Sequence, residues 1–160
     1  MPYDLSCTEP DIAPIPRSGR LFITEPDHPA RPGMDILLVE DDALVRECLG
    51  EVLADAGWQM CEAADAAEAL DRMCVGGMPG VLVTDMVLGR GMSGTALIAA
   101  ARLLYPQVRA VLVSGTDMAD PALDPGDRFL RKPFSVDDLV QAVSELIAEQ
   151  AVADLAHAAP

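Results

Sequence analysis

The sequence predicts a doubly wound α/β domain, a five-stranded parallel sheet with helices on both faces. Three observations lead there. Short apolar runs alternate along the chain with segments whose apolar residues recur at helical spacing. About half of the 160 residues are apolar and only 4% are aromatic, a composition dominated by Ala, Val and Leu that suits helices packed on a buried sheet. Polar residues then collect at the ends of the apolar runs, where such a sheet exposes its functional edge.

In order, 36–39 is a short strand, and 44–56 is a helix with Val45, Leu49, Val52 and Ala56 on one face, ending at Gly57. A strand near 58–63 leads to a helix around 66–73. A third strand, 81–84, precedes a helix over 93–104, and 110–113 is the fourth strand. Residues 117–127 contain Pro121 and Pro125 and allow only a short helix. After a fifth strand, 128–131, Ser135 caps a last helix with Asp137 and Asp138 in its first turn and Leu139, Val143 and Leu146 on one face.

Residues 1–33 hold seven of the thirteen prolines and are expected to form a disordered arm; 34–148 form the domain; 149–160 are an alanine-rich tail or helix extension. The net charge of −15, from 26 acidic and 11 basic residues, argues against nucleic acid and for cations or proteins as partners. No run reaches the ~18 apolar residues of a membrane span. With no basic head followed by an apolar stretch at the N-terminus, the chain is expected to be cytoplasmic, with no membrane insertion. Cys7, Cys48, Cys61 and Cys74 fit no metal-ligand spacing. The last three lie among apolar neighbours and are expected to be small, reduced core residues. His28 and His157 fall in the tails, where solvation is expected.

The strand ends carry the chemistry. Glu40, Asp41 and Asp42 follow the first strand, Asp85 ends the third, Ser114 the fourth, and Lys132 follows the fifth. Two like charges about 4 Å apart cost on the order of 4 kcal/mol at an effective dielectric near 20, so Glu40, Asp41 and Asp85 need counter-charge. Lys132 supplies one positive charge and a divalent cation two more. Oxygen ligands with room for a phosphoryl oxygen suit Mg²⁺. The pattern is that of a phosphoryl-transfer site with Asp85 as nucleophile, Lys132 offsetting charge and Ser114 donating a hydrogen bond. Asp42 is expected to cap the first helix. A competing reading takes GRGMSG, 89–94, as a dinucleotide-binding loop. That motif wants an acidic residue about 20 positions on, and the next strand ends in Ser114 instead. The glycines are better read as a flexible loop in which Gly94 lets the chain approach closely at a helix start.

Four motifs in order, LLVEDD (37–42), VLVTD (81–85), VLVSG (111–115) and FLRKPF (129–134), give the sequence a resemblance to the receiver domain of two-component response regulators. The resemblance implies a flavodoxin-like sheet of strand order 2-1-3-4-5 and assigns the phosphoacceptor to Asp85. Mg²⁺ would bind Glu40, Asp41, Asp85 and the backbone carbonyl of Val87. Ser114 and Lys132 would hold the phosphoryl group, Ser114 and Phe129 would form the switch, and the bond before Pro133 would be cis. Receivers often carry Met-Pro three and four residues after the phosphoacceptor; here Leu88 and Gly89 stand there, in a loop one residue longer. Phe129 also lacks the hydroxyl common at the switch position, so it must act by burial.

The implied function is that of a signalling receiver, not an enzyme beyond its own phosphorylation and dephosphorylation. A histidine kinase or histidine phosphotransfer protein would be the donor and a downstream protein the target. A Mg²⁺-dependent aspartate-nucleophile phosphatase is the alternative from another class. Such enzymes commonly have a second aspartate two residues after the nucleophile, where this chain has Val87. A phosphate sink or relay receiver without its own output is the third reading.

Overall fold

The computed structural model describes residues 34–89, 91–115 and 123–158. They form β1 (Ile36–Val39), α1 (Ala43–Asp55), β2 (Met60–Ala63), α2 (Ala66–Gly76), β3 (Val81–Asp85), α3 (Gly94–Leu104), β4 (Arg109–Ser114), β5 (Arg128–Arg131) and α4 (Val136–Ala158). All strand pairs are parallel, in the order β2-β1-β3-β4-β5. The sheet and its order are those the sequence and its resemblance imply. The expected arm, 1–33, lies outside the described residues, as does most of the expected short helix, since 116–122 are not described.

Successive strand side chains point to opposite faces, and the sequence fills both with apolar residues. Leu37, Val39, Leu82, Ala110 and Leu112 pack with Ala69, Met73, Leu97, Ile98 and Ala101 from α2 and α3. The alternate set, Ile36, Leu38, Val81, Val83, Val111 and Val113, packs with Leu53 of α1 and Leu139, Val143 and Leu146 of α4. Burial on both faces explains why β1 is an unbroken apolar run and why β3 opens with one, 81–83.

Local chemistry sets the helix ends. Asp42 accepts from the amides of Leu44 and Val45, Asp65 from Glu68 and Ser93 from Ala96, each capping the helix that follows. Ser135 and Asp138 exchange backbone-to-side-chain bonds of 3.1 and 2.9 Å at the start of α4. A Cβ on Gly94 would run into the Asp85 carbonyl oxygen, so glycine is what allows α3 to begin against the end of β3.

Two expectations need correction. Cys48 and Cys74 are exposed, whereas Cys61 is half-buried and packs against the α2/α3 layer. Cys48 and Cys74 sit on helix positions turned away from the two apolar layers, which short-range apolar neighbours do not reveal. On α1 the buried residues are Gly50 and Leu53, with Leu49 and Val52 half-buried and Ala56 exposed. The inward face is therefore rotated from the one expected. Gly50 lies inside because the Glu62 side chain of β2 passes over it.

Candidate functional site

The strand register assembles the site. Val39 pairs with Thr84, so Glu40 emerges beside Asp85. Asp85 pairs with Val113, so Ser114 emerges on its other side. Ser114 pairs with Arg131, and the Lys132 amide donates to the Ser114 carbonyl at 2.8 Å, which brings Lys132 into the same row. Parallel pairing alone thus gathers two carboxylates, a hydroxyl and an ammonium at the carboxyl edge of the sheet.

Side-chain contacts close the cluster. Lys132 Nζ donates a short hydrogen bond to Asp85 Oδ2 and stands 3.8 Å from Glu40 Oε2. Asp85 Oδ1 accepts from the Val87 amide at 3.0 Å, which folds the Val87 peptide back over the carboxylate. Glu40 is only 4% exposed, and its Oε1 accepts from the Asp42 amide at 3.2 Å. Asp41 is exposed, with Oδ2 3.3 Å from where a Cβ of Gly89 would stand. Gly89 takes a left-handed φ of 60°, a conformation costly for other residues. Ser114 is 1% exposed and its Oγ lies 3.6 Å from Met86 Sδ. The Lys132-Pro133 peptide is cis. Phe129 stands apart from the cluster, half-buried against the α2/α3 layer with Tyr105 and Leu123.

The charges are out of balance. Burial raises the Glu40 pKa, and the nearby Asp85 and Asp41 raise it further, against lowering by the Asp42 amide and Lys132. For Lys132 burial acts downward but is outweighed by the hydrogen bond and charge of Asp85, with Glu40 and Asp41 adding, so its pKa lies above normal. Three carboxylates share one ammonium. Among the described residues no three or more Asp, Glu, His and Cys side chains form a ready-made metal cage. Mg²⁺ seldom uses one, being held by one or two carboxylates and several waters. A hard-oxygen donor set with surplus negative charge fits it.

Arg46 is a contributor that motif reasoning missed. Its Nη1 donates to the Glu40 carbonyl at 2.6 Å, and its Nε lies 3.8 Å from Glu62 Oε2. It thereby ties the end of β1 to α1. Its position four residues after the capping Asp42 was the available signal.

A family model described as response regulator receiver domain matches residues 36–144. The chain belongs to the response regulator receiver family. A sensor kinase CckA of Brucella abortus is 35% identical over 122 residues, which cover 72% of this chain and 13% of that protein. The transcriptional regulatory protein PdtaR of Mycobacterium tuberculosis is 33% identical over 112 residues, 68% of this chain and 54% of its own length. The receiver thus spans about half or less of these two relatives. A crystal structure of a response regulator receiver protein from Sinorhizobium medicae superposes with a TM-score of 0.66 at 28% identity, covering 72% of this chain and 95% of the other. No helix among the described residues is long and apolar enough to cross a membrane.

Proposed function

We propose that this receiver accepts a phosphoryl group on Asp85 from a phosphohistidine of a histidine kinase or phosphotransfer protein, and signals to a downstream protein by altered contacts. The observation that carries the reading is the Asp85 carboxylate at the sheet edge, bonded to Lys132 with buried Glu40 beside them. An Asp85 oxygen attacks phosphorus; the P–O bond forms as the P–N bond breaks, and the electron pair leaves on the donor imidazole nitrogen. Lys132 passes from the carboxylate to a phosphoryl oxygen, offsetting its charge, and the Ser114 hydroxyl donates to another. Glu40, Asp41, Asp85 and the Val87 carbonyl would hold Mg²⁺, which when bound neutralises charge on the transferring group. Movement of Ser114 toward the phosphoryl oxygens leaves room that Phe129 fills, coupling the site to the β5 edge of the sheet.

The test is incubation with a small-molecule phosphodonor and Mg²⁺, followed by intact-mass measurement. The parent should gain one phosphoryl group and Asp85→Asn none. Undiminished labelling of Asp85→Asn would overturn the assignment.

A further inference from the structure

An apolar groove of about 410 Å³ runs between β2 and α2, on the opposite margin of the sheet from β5. Met34, Cys61 and Val75 line it, with Glu68, Asp71 and Arg72 along one side. Val75 is 92% exposed at the mouth of this groove. We infer that residues 17–24 of this same chain, RSGRLFIT, dock in this groove.

Three features of the chain select that occupant. Met34 both lines the groove and packs against Gly76, so the segment before it is tethered to the chain at the groove. Residues 25–33 separate the segment from Met34, and extended they reach roughly 30 Å, enough to double back across α2. A tether of that length keeps the segment at an effective concentration on the order of millimolar. Second, Leu21, Phe22 and Ile23 form the longest uninterrupted apolar run within 1–33, prolines aside. Third, Arg17 and Arg20 flank that run in a chain with only 11 basic residues. Glu68 is already paired with Arg72 at 2.7 Å, so the arginines meet Asp71 and the net charge of −15.

Cys61 supplies a reporter inside the groove, and the exposed Cys48 and Cys74 supply controls in the same molecule. The full chain is treated with iodoacetamide and each cysteine's rate is followed by peptide mass mapping. Relative to the parent, Phe22→Asp and Val75→Asp should each speed Cys61 alkylation by about fivefold, as expected when a protecting contact is mostly lost, with Cys48 and Cys74 unchanged. Neither Phe22 nor Val75 belongs to the two apolar core layers of the described residues, so neither substitution threatens them. A new carboxylate beside the thiol would slow it, so a rise in Val75→Asp is not a local charge effect. Equal Cys61 rates in all three proteins overturn the inference. Protection that disappears on dilution of the parent also overturns it, because a second copy then covers the groove.

Discussion

Glu40 bears the cost of crowding at the site. Its folded pKa lies above the ordinary 4.5, chiefly from burial and then from Asp85 and Asp41, opposed by the Asp42 amide and Lys132. Between the two values the folded state binds more protons than the unfolded state, so stability falls as pH rises from 4.5 through the raised pKa. Above that window the loss is complete. Glu40→Gln keeps an acceptor for the Asp42 amide and removes the charge, so the metal-free variant should melt a few degrees above the parent at neutral pH. The difference should close once the pH drops below the ordinary glutamate value. Thermal denaturation in the presence of a chelator at both pH values reads this directly, and a variant less stable than the parent at neutral pH would contradict the account. The same substitution should weaken Mg²⁺ binding, since the surplus charge that destabilises the apo site is what attracts the cation.

At the scale of elements, β5 is short and only half-buried, yet it carries Lys132 into the site. What anchors its start is Asp127, whose side chain is fully buried and accepts from Arg102 Nη2 at 2.7 Å and from the Ala110 amide at 3.0 Å. Arg102 also reaches Asp124 at 2.8 Å, so one residue of α3 holds the turn that feeds β5 against the start of β4. Removing the Asp127 carboxylate leaves the buried Ala110 amide without its acceptor, while Arg102 keeps Asp124. Asp127→Ala should therefore cost about 1–3 kcal/mol in urea denaturation, more than an exposed aspartate would. A loss within the range of a surface substitution would show that the clamp is dispensable. This anchor was not legible in the sequence, where Asp127 sits among prolines and a glycine and reads as loop. Its partners are 25 and 17 residues away, and only the parallel register reveals them. The strand ends were legible for the opposite reason: strands buried on both faces are unbroken apolar runs, so the first polar residue marks the edge. Glu40 and Ser114 could be named that way. In the third and fifth strands the first polar residues after the apolar run are Thr84 and Arg131, so Asp85 and Lys132 needed the motifs VLVTD and FLRKPF. The exposure of Cys48 and Cys74 depends on which way each helix faces.

For the whole molecule, 26 acidic residues against 11 basic ones leave a self-repulsion that any salt relieves by screening. A cation bound at one site acts differently, because it stabilises by mass action. At a hundredfold excess over its dissociation constant the gain is about 2.7 kcal/mol, whatever the ionic strength. Comparing NaCl and MgCl₂ at matched ionic strength separates the two contributions. The parent should gain melting temperature in both salts and gain more in MgCl₂. Asp41→Ala should keep the NaCl response and lose most of the excess in MgCl₂, because Asp41 is exposed and contributes to binding rather than to the core. Without Mg²⁺ this variant should be at least as stable as the parent, since it relieves part of the repulsion felt at Glu40. If the parent responds identically to the two salts, the acids at the strand ends hold no specific cation. If Asp41→Ala retains the full MgCl₂ excess, the cation binds elsewhere on this acidic surface.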